Sequence, residues 1–348
     1  MGFFDPEPKR RKKDFYDMER ELDEFLKGLD KSKLLLVTGL RRYGKTSLIL
    51  TGLNIKGLDY VLLDCRLLPS GMLSMNDLLF LLEEELSKKN WARRLLRSVE
   101  GISIGDFGIR FRERKHRVLV DVIDRLEGRT IVIDEAQELR RSTYRFDSLL
   151  AYIYDHVNTK VVVSGSQVGL LYRFLKTEDP EAPLFGRPYI EVKLGKLPDE
   201  RAREFLIRGF EQEGFRIKDE MIDEAVNSFD GVIGWLAYFG YSVVRRGESL
   251  SSIKEKASKL ALSELEHALK VYEVAKERYK EILRVVATYD GMRWSRVKRG
   301  VEARLGRIPN NTFSAMLKNL TDLGFLEKKD DKYKISDPIL RIGIERFL

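Results

Sequence analysis

The first half of the chain alternates short apolar runs with stretches in which apolar residues recur every three to four positions. A run that is apolar at every position predicts a strand covered on both faces, and the three-to-four spacing predicts amphipathic helices between such strands. The pattern therefore predicts an α/β domain built on a parallel sheet. Its predicted strands are residues 34–38, 59–65, 130–134, 160–167 and 189–192.

One stretch between the second and third strands has a pattern of its own. Residues 74–97 are rich in Leu, Glu and Arg and predict a long helical segment. Residues 99–112 alternate apolar residues with glycines, which predicts a β-hairpin inserted into the domain. A further helix is predicted from about Lys115 to Leu126.

The second half of the chain is helical, and its end has a distinct order of elements. Three amphipathic helices, at 279–289, 293–305 and 309–323, precede a two-stranded hairpin at 324–335. This order predicts a winged helix-turn-helix. The helical pattern over 197–247 predicts a small lid. The predicted domains are a core at 1–195, a helical lid subdomain at 196–248, a helical connector at 249–276 and a winged helix at 277–348.

The composition suits a soluble globular protein, with 348 residues of which 34% are charged and 43% hydrophobic. No apolar run approaches the ~20 residues needed to cross a bilayer, and the start does not have the pattern of a signal peptide. The single cysteine, Cys65, lies in an apolar run and is expected to be a small core residue in a reducing compartment. These features predict a cytoplasmic protein without a membrane partner.

The net charge of +8 permits an acidic partner such as nucleic acid. Most of it falls in residues 277–348, which hold 16 Lys and Arg against 10 Asp and Glu, a net charge of +6. The high charged fraction, with few Gln and Asn, is also typical of a thermophile's surface, which would explain many of these cations without a partner. The basic run from Lys9 to Lys13 is expected to lie in a solvated leader, residues 1–14, with a basic nucleic-acid or nuclear-address patch as the alternative.

The first predicted strand runs into the pattern Gly-x-x-x-x-Gly-Lys-Thr, from Gly39 to Thr46, and then into a helix. This is the phosphate-binding loop in the context that the pattern requires. Its glycines let successive amides point at a phosphate, and the helix adds its unpaired first-turn amides. Lys45 is expected to contact the β- and γ-phosphates, and the Thr46 hydroxyl to ligate Mg²⁺. The predicted nucleotide-binding residues are Gly39, Leu40, Arg41, Arg42, Tyr43, Gly44, Lys45, Thr46 and Ser47.

The third predicted strand ends in two acids, Asp134 and Glu135. The carboxyl ends of parallel strands meet at one edge of the sheet, so both acids are expected beside the phosphate loop. Asp134 is predicted to hold Mg²⁺ through a coordinated water, and Glu135 to be the general base that orients or deprotonates the attacking water. An ordinary cap between strand and helix is the bland alternative.

Polar residues next to the last two strands are further candidates. Ser164 and Ser166 end the fourth strand and are predicted to sense the γ-phosphate, although Ser166 would equally suit a helix cap. Arg187 precedes the fifth strand. It is a candidate catalytic arginine finger that acts in its own subunit or in a neighbouring one. The alternative role is a salt bridge within the loop.

In the predicted winged helix, the third helix is expected to enter a major groove while lysines of the wing approach phosphates. Many winged helices instead bind proteins, and the wing also carries Asp330 and Asp331. The partner is therefore predicted to be double-stranded DNA, with a protein as the alternative. The predicted DNA-binding residues are Asn310, Asn311, Thr312, Ser314, Lys318, Lys328 and Lys329.

Together, these motifs resemble the archaeal ATPase family, which belongs to the signal-transduction ATPases with numerous domains, relatives of the AAA+ and origin-recognition ATPases. The resemblance covers nearly the whole chain, and its most specific part is Arg41-Arg-Tyr-Gly-Lys-Thr-Ser-Leu48. It implies a P-loop core with sheet order 5-1-4-3-2, a helical lid, a winged helix and Mg-ATP as ligand. Residues 39–47 would then bind phosphates, Asp134 magnesium, and Glu135 would activate water.

Two functions from different classes follow from this reading. The first is a slow, Mg²⁺-dependent ATPase that works as a switch, in which ATP or ADP repositions the lid and the winged helix to grip or release DNA, with a nucleotide-dependent oligomer as a further possibility. The second is a nucleotide-gated adaptor that binds proteins, hydrolyses little and does not bind DNA. The presence of both Lys45 and Glu135 favours hydrolysis.

Overall fold

The computed structural model describes residues 2–105, 108–112, 116–289 and 291–348. These residues form two compact units. The core unit comprises Pro8–Gly39 and Lys45–Leu194. The C-terminal unit comprises Gly195–Leu348, the described residues up to Glu7, and Leu40–Gly44, the tip of the predicted phosphate loop.

The core unit is built on a five-stranded sheet in which every pairing is parallel. Its strands lie in the order β2-β5-β6-β1-β7. Counted along the chain without the inserted hairpin, this is the order 5-1-4-3-2, and the predicted fold class is confirmed. The strands are β1 (Leu34–Thr38), β2 (Tyr60–Asp64), β5 (Thr130–Asp134), β6 (Lys160–Gly165) and β7 (Ile190–Lys193).

Coverage of the sheet differs from strand to strand. All residues of β1 and β5 are buried, as their apolar runs predict for strands covered on both faces. The same prediction is wrong for β2, where buried residues alternate with half-buried ones. Because β2 lies at an edge of the sheet, one of its faces is less covered. Cys65, directly after β2, is fully buried, as expected of a core residue.

Seven helices of the core unit lie in its described part. They are α1 (Glu19–Lys31), α2 (Lys45–Ile55), α3 (Met75–Ser87), α4 (Asn90–Leu95), α5 (His116–Arg125), α6 (Phe146–His156) and α7 (Val168–Leu175). Short 3-10 segments lie at Lys12–Asp14, Cys65–Leu67, Leu96–Ser98 and Ala136–Arg141. The long helical segment predicted at 74–97 consists of α3, α4 and the 3-10 segment that follows them, with a break in helical geometry between α3 and α4.

The predicted hairpin consists of β3 (Ile102–Gly105) and β4 (Gly108–Phe111), which pair antiparallel. The amide of Phe111 donates to Glu83 of α3 over 3.0 Å, which ties the hairpin to the core unit. Residues 106 and 107, which fall within the predicted hairpin, lie outside the described part of the chain, as does Lys115, the predicted start of the next helix.

The C-terminal unit contains helices α8–α15 and a three-stranded sheet of order β8-β10-β9. Three helices and then a hairpin form the predicted winged helix. The predicted lid, connector and winged helix all lie in this unit, and their separation at 248 and 276 stays a prediction. The helices are α8 (Asp199–Gln212), α9 (Asp219–Phe229), α10 (Ile233–Arg246), α11 (Leu250–Leu269), α12 (Lys276–Ala287), α13 (Trp294–Leu305), α14 (Asn310–Asp322) and α15 (Pro338–Phe347), with a 3-10 segment at Lys270–Ala275. The strands are β8 (Met292–Arg293), β9 (Leu326–Lys329) and β10 (Lys332–Ile335).

Helix α15, after the wing, is an element that the periodicity did not predict. Asp337 caps it by accepting from the amides of Ile339 and Leu340, and Pro338 occupies its first position. Its Gly343 packs closely on α11, where an added Cβ would lie 3.0 Å from the carbonyl oxygen of Ser258. The last helix is therefore fastened to α11.

The leader is only partly solvated. Phe3 and Phe4 are buried, and Phe4 lies so close to Gly209 and Gly240 that an added Cβ on either would come within 2.4 Å of its ring. The expectation of a solvated leader is therefore wrong for these aromatic residues, although the side chains of the basic run are largely exposed. None of the helices in the described part of the chain is both long and apolar enough to cross a membrane.

Candidate functional site

The predicted phosphate loop leaves β1 at Gly39 and enters α2 at Lys45. Gly39 and Gly44 have positive φ angles of 146° and 83°. An added Cβ on Gly39 would lie 2.8 Å from the carbonyl oxygen of Leu194, so the backbone here has room only for glycine. Lys45 is 5% exposed, and its ammonium donates to the carbonyl of Gly39 over 2.9 Å. The lysine thus folds back along the loop.

Just inside the helix, the Ser47 hydroxyl is engaged by the leader. It accepts a hydrogen bond from the Lys9 amide over 3.0 Å. The Lys9 carbonyl in turn accepts from the Thr51 hydroxyl over 3.2 Å. The leader backbone therefore runs against α2, a contact that the sequence did not predict.

Thr46 and Asp134, the two predicted Mg²⁺ ligands, lie in direct contact in the core unit. Thr46 Oγ1 donates to Asp134 Oδ2 over 2.7 Å. Ser164 donates to Asp134 Oδ1, the other oxygen of a carboxylate that is almost fully buried. Arg66 is 4.0 Å from Asp134 but pairs more closely with Asp64, at 2.6 Å.

This donor set fits magnesium. It offers a hydroxyl and a carboxylate, and Mg²⁺ prefers oxygen ligands, usually one or two from protein with the rest from water and phosphates. Among the described residues, no group of three or more His, Cys, Asp and Glu side chains is placed to hold a metal ion. The Thr46 hydroxyl and the Asp134 carboxylate are the two protein oxygens that this site offers to such an ion.

Glu135 directly follows β5 in a left-handed conformation with φ of 54°. Its Oε2 accepts from the Ser166 hydroxyl over 2.6 Å and from Gln137 Nε2 over 2.5 Å. Its Oε1 lies 4.0 Å from the Lys45 ammonium. Burial acts to raise the pKa of Glu135, but the charge of Lys45 and these hydrogen bonds together lower the pKa below its ordinary value. The carboxylate is therefore ionised at neutral pH and able to accept a proton.

The structure brings both predicted sensor residues to these acids, Ser164 to Asp134 and Ser166 to Glu135. Their role in sensing a γ-phosphate stays a prediction. Gln137 was not among the predicted site residues. The only sequence signal for Gln137 as a site residue was its position two residues after Glu135. A polar residue at that position could equally have been a surface side chain.

Arg187 lies in a salt bridge on the core unit. Its guanidinium pairs with Asp155 of α6 at 2.5 Å and also donates to the Pro183 carbonyl. This is the loop salt bridge that the sequence left open. An arginine-finger role for Arg187 stays a prediction.

The loop tip makes its contacts within the C-terminal unit. Arg42 pairs with both carboxylate oxygens of Glu264 on α11, at 2.5 and 3.0 Å, and Arg41 lies 3.3 Å from the same carboxylate. Tyr43 is buried, and burial raises the pKa of its hydroxyl. Leu40 is partly buried. The sequence marked these tip residues but gave no signal of Glu264, which is 222 positions away from Arg42.

The predicted DNA-contact residues lie on one exposed surface and on the wing. The exposed side of α14 carries Asn310, Asn311, Thr312, Ser314 and Lys318. The Ser314 hydroxyl accepts from Trp294 Nε1 over 3.1 Å. On the wing, Lys329 is exposed, whereas Lys328 pairs with Asp331 at 2.9 Å.

Comparison with known proteins gives a match to one domain family and matches to solved structures of whole chains. The family of MCM protein C-terminal winged helix-turn-helix domains matches residues 273–336. A solved Walker-type ATPase of Pyrococcus abyssi is 32% identical, with 98% of this chain and 99% of that chain covered and a TM-score of 0.84. The comparison with curated proteins found no match.

Two more distant solved structures have similarity over most of their length. The RuvB Holliday junction branch migration motor of Thermotoga maritima is 15% identical, covering 96% of this chain and 95% of that chain, with a TM-score of 0.47. The replication initiator DnaA, bound to AMPPCP and single-stranded DNA, is 13% identical, covering 91% and 92%, with a TM-score of 0.42. Both are too distant to indicate a function for this chain.

Proposed function

The chain belongs to the family of the Walker-type ATPase of Pyrococcus abyssi, and from that membership we propose that it is a Mg²⁺-dependent ATPase that acts as a switch on a DNA-binding winged helix. One observation carries the proposal. At the start of α2, Thr46 donates to Asp134, the last residue of β5, and the Lys45 ammonium lies 4.0 Å from Glu135, the residue after it. Phosphate binding and water activation are thereby available in one site.

In the proposed reaction, the loop amides and the amino end of α2 bind the phosphates of ATP. Lys45 leaves its bond to the Gly39 carbonyl to contact the β- and γ-phosphates. Thr46 and Asp134 would hold magnesium, which would supply positive charge to neutralise the charge developing on the phosphate oxygens. Glu135 accepts a proton from the water that attacks the γ-phosphorus, and the bond to ADP breaks.

The two serines are proposed to sense the γ-phosphate through the acids that they orient. Ser166 fixes one carboxylate oxygen of Glu135 and leaves Oε1 on the side of Lys45. Ser164 fixes Asp134 so that its other oxygen faces Thr46. Orientation of both acids before substrate binds lowers the reorganisation needed during the reaction.

DNA is the partner that the charge of the winged helix supports, with a net +6 over residues 277–348 and an exposed polar side of α14. A specific observation favours the alternative, a protein adaptor. Lys328 and Lys334 of the wing are paired with Asp331 and Glu327, which reduces the charge offered to phosphates.

Affinity for duplex DNA, measured at a series of salt concentrations, distinguishes DNA from protein as the partner of the winged helix. For a DNA-binding winged helix, affinity falls as salt rises, and Lys318→Ala makes the slope of log affinity against log salt shallower by about one. Lys334→Ala serves as the matched control, because that lysine is already paired with Glu327 at 2.8 Å. Absence of affinity at low salt, or affinity that salt does not change, would exclude DNA and leave the adaptor. Stimulation of the ATPase rate by duplex DNA, measured across protein concentration, tests whether the two activities are coupled and whether the chain assembles.

A further inference from the structure

Arg42 is anchored from two sides within the C-terminal unit, although it lies in the middle of the phosphate loop. Its guanidinium forms a bidentate ion pair with Glu264 of α11. Its guanidinium carbon also lies 3.9 Å from the centre of the Trp235 ring of α10. A guanidinium that is both paired and stacked on an indole is held in one orientation.

The backbone of Arg42 is held as firmly as its side chain. Its φ of 66° is in the left-handed region, which is a strained conformation for a residue with a side chain. The carbonyl of Arg42 accepts from the amide of Gly234 over 2.9 Å, so it satisfies a first-turn donor of α10. An added Cβ on Gly234 would lie 2.5 Å from the Cβ of Arg42. The loop tip is thus fitted to the start of α10.

Trp235 links this contact to the last helix. It is 1% exposed, and its indole Nε1 lies 3.0 and 3.1 Å from the two carboxylate oxygens of Asp337. Asp337 is the cap of α15, accepting from the amide of Ile339 over 2.8 Å. A continuous series of contacts therefore runs from Arg42 through Trp235 to the start of α15.

Glu264 leads to the same helix by a second route. It lies on α11, the helix on which Gly343 of α15 packs against Ser258 and Leu262. Helix α15 follows the wing directly, since β10 ends at Ile335. Both partners of Arg42 thus belong to elements that are fastened to the end of the winged helix.

We infer that Arg42 is a positioning residue through which α10, α11 and α15 set the conformation of the phosphate loop, so that the state of the C-terminal unit governs nucleotide binding. The inference rests on the proposed function, because it assigns a regulator to that same site. Lys45 follows Arg42 by three residues, so a change in the Arg42 backbone is transmitted to Lys45 through the chain itself. Coupling between two binding sites is reciprocal. If a ligand of the winged helix changes the affinity for nucleotide by some factor, nucleotide therefore changes the affinity for that ligand by the same factor.

The first test compares two glutamates of α11. Glu264→Gln removes the charge that holds Arg42, and Glu266→Gln is the matched control, since Glu266 pairs with Lys276 and Lys280 and is similarly exposed, 35% against 30%. Glu264→Gln is expected to change KM for ATP about fivefold or more, in the range of typical coupling between sites. Glu266→Gln should stay near the parent value. Arg42→Gln combined with Glu264→Gln should have no larger effect than either alone.

A merely structural role would give a different result. Glu264→Gln would then lower the melting temperature and leave KM and kcat of the folded protein unchanged. That outcome, or equal KM values for the Glu264→Gln and Glu266→Gln variants, would overturn the inference.

The second test does not depend on turnover. The chain has three tryptophans, so Trp91→Phe with Trp294→Phe leaves Trp235, beneath Arg42, as the only indole. Its emission is expected to shift when Mg-ATP or Mg-ADP is added, and to stay constant after the further change Lys45→Ala or Arg42→Gln. A shift in a protein that releases no phosphate would refute the proposed ATPase and support the inference. Unchanged emission under saturating nucleotide would overturn the inference, whether or not ATP is hydrolysed.

Discussion

Thr46 Oγ1 donates a 2.7 Å hydrogen bond to Asp134 Oδ2, which joins the first turn of α2 to the end of β5. The two oxygens therefore already face each other at the distance of one hydrogen bond. Ser164 holds the opposite oxygen of the same carboxylate. A side chain that orients a metal ligand in this way normally affects metal affinity, although it does not touch the metal.

Ser164→Ala is therefore expected to raise the Mg²⁺ concentration that gives half-maximal ATPase activity by about 10- to 100-fold, the usual effect of losing such a contact. Thr159→Val is a suitable control, because it removes another buried hydroxyl of the core unit, one that donates to the Leu126 carbonyl. Its effect should be confined to stability. Equal Mg²⁺ dependence in the two variants would show that Ser164 does not act through Asp134.

Arg187→Ala distinguishes the two roles left open for this arginine. The salt bridge with Asp155 is partly exposed, with side-chain exposures of 26% and 38%, so its loss should cost less than about 1 kcal/mol of unfolding free energy. If Arg187 acts only in that bridge, the ATPase rate is unchanged, and Asp155→Asn has the same small effect. If Arg187 is instead an arginine finger, its removal in Arg187→Ala lowers kcat by about 10³-fold, whereas Asp155→Asn leaves kcat unchanged. Steady-state rates and urea unfolding of both variants provide the measurement.

Asp337 gives the C-terminal unit a specific dependence on pH. Burial raises the pKa of its carboxyl above the ordinary 3.8, although the indole of Trp235 and the charge of Arg42 act against this. Between 3.8 and the raised pKa, the folded protein holds a proton that the unfolded chain releases. Acidification through the raised pKa therefore stabilises the folded state, and this contribution is lost as pH rises.

Asp337→Asn isolates that contribution, because an amide oxygen can still accept from Trp235 and from the first amides of α15. Stability of the parent protein relative to this variant should increase as pH falls from 7 towards 4. Urea unfolding of the two proteins over that range measures it. A difference that is constant with pH, or that grows as pH rises, would contradict the raised pKa.

Much of the fold could be predicted because its signals are local. The apolar runs located all five strands of the core sheet, and Pro309 with the polar residues after it marked α14. Prediction failed where the sequence carried no local signal. No proline or glycine stands between α3 and α4, so the sequence did not indicate where the predicted helical segment is interrupted. Helix α15 did have a signal, the pair Asp337-Pro338, which is a typical cap and first residue.

The candidate site divides along the same line. Lys45, Thr46, Asp134 and Glu135 could be found because their motifs follow strands whose ends must meet. The partners of Arg42 could not, since Trp235 fits the apolar pattern of a buried helix and Glu264 looks like any solvated glutamate of α11. Their significance arises only from tertiary contacts between residues that are about two hundred positions apart.

The central claim, that Glu135 makes this site hydrolytic, is tested most directly by Glu135→Gln. ATP affinity and phosphate release should be measured together for this variant, for the parent protein and for Glu138→Gln. Glu138 is the matched control, because it pairs with Arg141 at 2.9 Å and has no proposed part in the chemistry. We predict that Glu135→Gln binds Mg-ATP within about threefold of the parent and loses about 10²- to 10⁴-fold in rate, the contribution of a general base, while Glu138→Gln keeps the parent's rate. Phosphate release by Glu135→Gln at the parent's rate would contradict the account.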